Sequence, residues 1–219
     1  RFLPEAIAAI AREDDDARVR KAAVAKLMDP AALASIARAD KDDDVRAQAT
    51  SMLRDIALES FEEVGEAESL QAIDAIDDQK TLTLVAKTAT REASASRALD
   101  RITDPHAYGS IARHAAVDAV RLRAFESLRS LGDHDELLAV AMNSDFKDTA
   151  LAALEHVTSS EELERVATRG KNKSSSKRAR TRSPLRTRAS STYAWRSFHG
   201  VFVISATIAS RVPSSARQK

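Results

Sequence analysis

The chain contains no cysteine among its 219 residues, and aromatic residues make up only 4% of it. The lack of cysteine excludes disulfides, thiolate zinc sites and cysteine nucleophiles, and it is compatible with the reducing cytoplasm. Few aromatics and abundant alanine favour closely packed small helices over a β-sandwich or an α/β sheet. We therefore expect an all-α, cytoplasmic protein.

Long apolar runs and glycine-rich loops are also missing. The stretch 201–209, which Ser205 and Thr207 interrupt, is far shorter than the roughly 18 to 20 apolar residues that span a membrane. The five glycines are scattered singly, which excludes a glycine-rich phosphate loop. Tyr108-Gly109-Ser110 lies in a helical pattern without the strand and elbow of a hydrolase nucleophile. We expect no membrane partner and no cofactor.

The net charge of +1 conceals a strong asymmetry along the chain. Residues 1–164 hold all 33 acidic residues and 20 of the 34 basic ones, so their net charge is −13. The remaining residues carry 14 basic and no acidic residues, for a net charge of +14. Such a break indicates either a basic interaction tail or a segment of different origin.

The stretch from Leu33 to Leu53 is the unit that the chain repeats. Each half carries one apolar stripe at helical spacing, which predicts two short helices. Between them, residues 40–44 include four aspartates whose carboxylates can cap the second helix. The aspartate runs at 14–16 and 42–44 lack the glycine of a calcium loop, so capping is the favoured interpretation.

The pattern Leu-x-x-(Ile/Val)-Ala recurs six times, with its central residue at positions 10, 36, 85, 111, 140 and 166. Thirteen residues after each central residue stands an alanine. The long interval between positions 36 and 85 predicts a seventh, degenerate unit at 56–78, with Phe61 at its centre and Gly65 in its turn. Its second helix is expected to be lined by Leu70, Ile73 and Ile76.

A single hairpin cannot cover its own apolar face, so the units must stack into an α-solenoid of about seven hairpins. We expect this domain to cover residues 1–182, with the last hairpin incomplete. Pro4, Pro30 and Pro105 suit helix starts, and Gly132 and Gly170 suit helix ends. The predicted repeat core consists of Ile10, Val19, Ala23, Leu27, Leu33, Ile36, Val45, Ala49, Leu53, Leu82, Val85, Ala98, Ile102, Ile111, Val120, Ala124, Leu128, Leu137, Val140, Ala153, Val157, Leu163 and Val166.

At Val45-Arg46, with aspartates ahead and Ala49 and Leu53 behind, the chain resembles the HEAT-repeat superfamily, whose second helix often begins Asp-x-x-Val-Arg. Val19-Arg20 and Val120-Arg121 repeat this motif. Within that class, VRKAAVAKLMDPAALASIAR and RGKNKSSSKRAR resemble the N-terminal repeat region of bacterial proteins that carry domain of unknown function 349.

The resemblance covers about residues 3–182 and implies binding or scaffolding without established chemistry. Some units depart from the motif, because Ser94-Ala95, Thr149-Ala150 and Ser175-Ser176 stand where Val-Arg is expected. The chain also opens with Arg1 rather than methionine, which leads us to expect a fragment of a longer protein.

Residues 183–219 form a basic segment in which the helical period is lost. Three interpretations remain open: a disordered tail that contacts nucleic acid or acidic protein, an atypical capping element, and a read-through or frame-shifted end. The segment therefore carries no functional prediction by itself.

No catalytic or metal-binding constellation is recognisable. His106 and His114 are eight residues apart, one turn too many for a two-ligand helical site. His134 is expected at the start of a helix, and His156 beside the core residue Val157. Helix caps and solvated faces account for nearly all of the carboxylates.

The sequence favours a non-enzymatic scaffold that binds a protein partner along the second helices of its hairpins. The alternatives are a nucleic-acid-binding protein and a HEAT-like lyase that attaches bilin pigments, and the lyase is disfavoured because aromatic and polar residues do not converge. A solvated helix face with internal ion pairs is the competing interpretation of the same positions. The candidate binding surface consists of Arg18, Lys21, Gln48, Arg97, Arg101, Arg121 and Arg123.

Overall fold

The structure is a computed structural model that describes residues 4–183, and within this range the chain forms thirteen α-helices and no β-strand. Helices that are neighbours in the chain pack on one another in order, which confirms the predicted all-α, solenoid-like fold. The helices are α1 (Pro4–Glu13), α2 (Ala17–Val24), α3 (Pro30–Ala39), α4 (Asp43–Ala57), α5 (Glu66–Ala75), α6 (Gln79–Thr88), α7 (Glu92–Asp100), α8 (Pro105–His114), α9 (Asp118–Leu131), α10 (His134–Asn143), α11 (Lys147–Leu154), α12 (Ser160–Arg169) and α13 (Lys173–Arg182).

Twelve of these helices form six antiparallel hairpins, in the pairs α1/α2, α3/α4, α6/α7, α8/α9, α10/α11 and α12/α13. The second helices, together with α5, form one layer in which each contacts the next. The first helices of the later hairpins, α6, α8, α10 and α12, likewise contact one another in sequence. The last described helix ends at Arg182, and the predicted basic segment lies almost entirely outside the described residues.

The degenerate unit is not a hairpin, which corrects the prediction of seven. Helix α4 runs on to Ala57 and leaves only residues 58–65 for a first helix. Glu59, with a φ of 53°, turns the chain out of the helical path there. Phe61 therefore lies in a loop, packed against the core, and Gly65 is the N-cap of α5.

Proline, glycine and aspartate punctuate the helices as predicted. Pro30 and Pro105 lie in the first turns of α3 and α8, and Pro4 is the first described residue of α1. Gly132 ends α9 in the left-handed conformation with a φ of 70°. The Asp42 carboxylate accepts hydrogen bonds from the Asp44 and Val45 N–H groups, 2.9 and 3.1 Å away, so the acidic turn does cap the second helix.

Nearly all of the predicted core residues are buried, but three in the first hairpin are not. Ile10 is 37% exposed, Val19 is 41% exposed and Ala23 is half-buried. These positions point along the solenoid, and within the described residues no earlier hairpin covers them. In α2 the buried side chains are Arg20 and Val24 instead.

Backbone hydrogen bonds connect successive hairpins at their turns. The N–H groups of Ala116, Asp145 and Lys171 donate to carbonyls of the preceding hairpin, those of Lys87, Arg113 and Met142, over 3.0, 3.1 and 2.7 Å. Each donor lies five residues after the central residue of its own hairpin. Each acceptor lies two residues after the central residue of the preceding hairpin. The junction is thus a repeated structural feature.

Candidate functional site

The second-helix layer contains every residue of the predicted binding surface, on or next to α2, α4, α7 and α9. The side chains of Arg18, Lys21, Arg97 and Arg123 are exposed, and those of Gln48 and Arg101 are half-buried. We call the exposed side of this layer the second-helix surface. The structure brings these residues onto one layer and pairs the cations at positions 21, 97, 101, 121 and 123 with acidic side chains.

Arginines on this surface are paired with acids of the preceding helix in the same layer. Arg97 donates two hydrogen bonds to Asp74, 2.7 and 2.8 Å long, and these bonds lower the pKa of the Asp74 carboxyl. Arg123 pairs with Asp100 at 2.5 Å. Near the C-terminal end, Arg178 lies 3.5 Å from Glu155. This ion-pair ladder neutralises much of the expected basic strip.

The acidic half of the ladder was not predicted, although the sequence carries a signal for it. The partners Asp74 and Arg97 are 23 residues apart, as are Asp100 and Arg123. Lys21 and Asp44, 3.5 Å apart, share this spacing with the charges reversed. In the common repeat, the equivalent position of the next unit lies 26 residues further along the chain. A partner 23 residues away therefore lies three residues, about one helical turn, before that equivalent position.

Arg101 binds the end of the preceding helix rather than projecting freely. Its guanidinium donates to the Ile73 carbonyl of α5 and lies 3.5 Å from Asp77. Arg38 approaches Asp77 more closely, at 2.6 Å, and its hydrogen bond lowers the pKa of that carboxyl. An arginine at the Arg101 position therefore satisfies carbonyl groups at a helix C-terminus.

Arg121 is buried, with 7% of its surface exposed, so its assignment to the binding surface was wrong. Its Nη1 donates to the Ala115 carbonyl at 2.9 Å, and its guanidinium lies 3.4 Å from the centre of the Phe146 ring in the next hairpin. A turn carbonyl six residues upstream and an apolar ring hold this side chain inward. It connects two turns and is not available to a partner.

Arg20 plays the same part at the first junction. Its Nη1 donates to the Asp14 carbonyl at 2.9 Å, while Nη2 and Nε donate to the Asp40 carboxylate at 2.8 and 2.9 Å. This bidentate pair lowers the pKa of Asp40. Arg20 and Arg121 thus connect neighbouring turns, whereas Arg46 donates to the Asp40 carbonyl of its own turn. In the last hairpin Ser176 takes this place and donates to the Gly170 carbonyl at 3.1 Å.

Large apolar side chains of α9 are exposed beside these charges, and Leu131 is 56% exposed near the end of the helix. Leu122, on α9 between Arg121 and Arg123, is 51% exposed. Leu151, on α11, is half-buried. The surface therefore combines neutralised ion pairs with exposed aliphatic groups, a composition suited to protein contacts.

Three histidines lie on the first-helix side and contact acids of the next hairpin. His106 contacts Glu136, His134 lies 2.9 Å from Glu162, and His114 lies 2.7 Å from Asp145. The pKa of Asp145 is lowered by hydrogen bonds from Lys171 and His114. Within residues 4–183, no group of three or more histidine or acidic residues is placed to hold a metal ion.

No protein family, curated protein or solved structure matches this chain. None of the thirteen described helices is both long enough and apolar enough to cross a membrane. The placement of side chains is therefore the basis for any functional conclusion.

Proposed function

We propose that the chain is a non-enzymatic scaffold that binds a protein segment along the second-helix surface. The proposal is supported above all by the ion-pair ladder, in which Arg97 and Arg123 are neutralised by Asp74 and Asp100. A surface for nucleic acid needs cations free to replace the counterions of phosphates. Paired charges beside the exposed Leu122 fit a protein segment better.

Nucleic-acid binding is the second candidate, and the last hairpin favours it. Helix α13 carries five basic residues and no acidic one, and Lys173 and Lys177 are exposed on it. A local excess of cations of this kind attracts phosphate groups. This candidate places the binding site at the C-terminal end instead of along the ladder.

The proposal also places the chain among HEAT-like repeats in the cytoplasm. The Val-Arg arginines that fasten the turns and the stacked two-helix units support the first part. The lack of cysteine is compatible with the second, because a fold without disulfides is stable in a reducing compartment.

Site-specific photo-crosslinking in cells tests the surface. A photoreactive amino acid would replace Leu122 on the second-helix side or, as a matched control, Leu84 on the first-helix side, which is 38% exposed. We expect position 122 to give discrete adducts that protease removes and nuclease does not, and position 84 to give none. Equal adducts from both positions would contradict the assigned surface.

A salt titration with a mixed-sequence DNA duplex separates the two candidates. We expect the full chain to bind the duplex weakly and the Arg97→Gln/Arg123→Gln variant to bind it equally, because those arginines are already paired. Tight binding that falls steeply with salt and is lost in Lys173→Gln/Lys177→Gln would establish the nucleic-acid candidate instead.

A further inference from the structure

A polar groove lies between α6 and α8 on the first-helix side of the solenoid. It has a volume of about 320 Å³ and is lined by Lys80, Thr83 and Lys87 of α6 and by Ala107 and Ser110 of α8, among others. Lys87 is half-buried and Lys80 is exposed. We call this space the α6/α8 groove, and two cationic side chains line its α6 side.

At the next junction, between α8 and α10, the side chain of Glu136 reaches back towards α8. One of its carboxylate oxygens contacts His106, and the other lies 2.9 Å from Arg113. The carboxyl group lies so close to Gly109 that it leaves no room for a side chain at that position. The side chains of Arg113 and Glu136 are only 12% and 15% exposed, so water screens this pair weakly.

The α6/α8 groove is lined by the positions of α6 that are equivalent to those of α8 in contact with Glu136. They lie five and two residues before the central residue of the hairpin and two residues after it. The equivalent pairs are Lys80 and His106, Thr83 and Gly109, and Lys87 and Arg113. The groove therefore corresponds to the space that the Glu136 side chain fills one hairpin later.

The position of Glu136 carries a carboxylate in the last hairpin as well. Glu162 lies four residues before its central residue, as Glu136 does, and its carboxylate lies 2.9 Å from His134. In α8 the same position is Ala107. The α6/α8 junction thus has the cations of the following junction without the acidic side chain that pairs with them.

No other acidic side chain within residues 4–183 takes this part. None of them pairs with Lys80 or Lys87, and the Lys87 ammonium donates to the Ser110 hydroxyl over 3.2 Å. Asp104 also lines the groove, but its carboxylate caps α8 by accepting a hydrogen bond from the His106 N–H over 3.1 Å. A half-buried ammonium group in this setting favours an anion, because a charged partner offsets the lost hydration.

We propose that the α6/α8 groove binds a small organic acid, whose carboxylate takes the place of the Glu136 side chain and pairs with Lys87 and Lys80. The Ser110 hydroxyl, which accepts a hydrogen bond from Lys87, is able to donate its own proton to that carboxylate. The volume lies at the lower end of the range for small-molecule sites, about 300 to 1,000 Å³, which favours a small acid over a protein segment. The proposal is independent of the second-helix surface.

Titration of the full chain with glutarate, followed by amide NMR spectra at constant ionic strength, tests the site. We expect saturable shifts concentrated in the signals of α6 and α8, and no such shifts with glutaramide, the uncharged diamide. Lys87→Gln should weaken binding by about tenfold or more. Lys147→Gln is the matched control, since this exposed lysine of α11 lies outside the groove, and it should bind glutarate as the unchanged chain does.

Two results of this titration would overturn the proposal. The first is a lack of saturation, or equal binding by the unchanged chain and Lys87→Gln. The second is a glutamate-containing peptide that binds more than about tenfold more tightly than glutarate, because the groove would then belong to a protein-binding surface.

Placing the carboxylate on the chain itself gives a second readout. Ala107→Glu should raise the thermal midpoint by about 2 °C or more relative to Ala107→Gln, the uncharged control of the same size. In the Lys80→Gln/Lys87→Gln background this difference should be much smaller, because the paired cations are removed. A difference of the same size in that background would come from the negative charge at the start of α8 alone, and it would contradict the assigned pairing.

Discussion

One position near the start of the second helix is buried in every hairpin after the first, and it is occupied by valine, serine or threonine. Val45 and Val120 fill it with aliphatic groups. Ser94 shares a hydrogen bond with Ser69, 3.0 Å long, and Ser175 donates to the Ala141 carbonyl at 3.1 Å. Thr149 is equally buried, but among residues 4–183 its hydroxyl has no hydrogen-bond partner. A buried polar atom without a partner destabilises the fold.

Replacing Thr149 by valine should therefore stabilise the chain, by about 1 kcal/mol, because the shape is kept and the unpaired hydroxyl is removed. Urea unfolding followed by circular dichroism measures the difference. Thr168→Val is the matched control, since that hydroxyl is exposed and donates to the Glu164 carbonyl at 2.8 Å. The control should change stability by less than about 0.5 kcal/mol. A destabilised Thr149→Val would show that the hydroxyl is satisfied.

At the scale of elements, the turns between paired helices hold neighbouring hairpins together. Arg20 reaches from α2 to Asp40, the C-cap of α3, and Arg121 reaches from α9 to Phe146, the N-cap of α11. The Arg20–Asp40 pair is almost completely buried, whereas the Arg38–Asp77 pair is more than half exposed. Both pairs lower the pKa of their aspartate, but water screens only the second.

This difference predicts how acid destabilises the fold. A carboxyl whose pKa is lowered on folding contributes stability above its unfolded pKa of about 3.9, and the contribution is lost as pH falls through the folded pKa. Asp40→Asn should therefore lower stability at pH 7 and flatten the loss of stability between about pH 5 and pH 2. Thermal unfolding across this range measures the slope. Asp77→Asn should leave the slope close to that of the unchanged chain. If Asp40→Asn also had the slope of the unchanged chain, the Arg20–Asp40 pair would not have the role assigned to it.

At the scale of the whole molecule, the missing first helix divides the array into two parts. Residues 4–57 form two complete hairpins and residues 79–183 form four, with α5 between them. Helix α5 contacts both α4 and α7 and is the main connection across the division. In a repeat array, the free energy of unfolding is the sum of the stabilities of the single units and of the contacts between neighbouring units. The weakest of these contacts therefore decides whether the array unfolds in one cooperative step.

Ile73→Ala, at a fully buried position of α5, should cost about 2 to 5 kcal/mol and separate the unfolding of the two parts. Hydrogen exchange should then show residues 4–57 and 79–183 opening at different urea concentrations. Ile111→Ala, equally buried in α8, is the matched control and should lower stability without splitting the parts. One shared transition in both variants would show that α5 is not the weak junction.

The sequence by itself determined the elements of this protein. The apolar stripe of Leu33 and Ile36, the aspartates of the acidic turn and Pro30 act within one or two helical turns, so their consequences are readable without knowing what lies alongside. These local signals established the paired helices, their ends and most of the core.

Only the tertiary structure decided which side chains face a neighbour. A helical period shows that Val19 and Arg121 share a helix with core residues, but burial depends on the hairpin packed against them. With no hairpin before it among the described residues, Val19 is exposed, while the turn carbonyl of Ala115 and the ring of Phe146 draw Arg121 inside. Likewise, Arg97 and Arg123 pair with Asp74 and Asp100, so the predicted basic strip is largely neutral. The net charge of this surface depends on which side chains meet across neighbouring helices, and the composition of one helix does not show that.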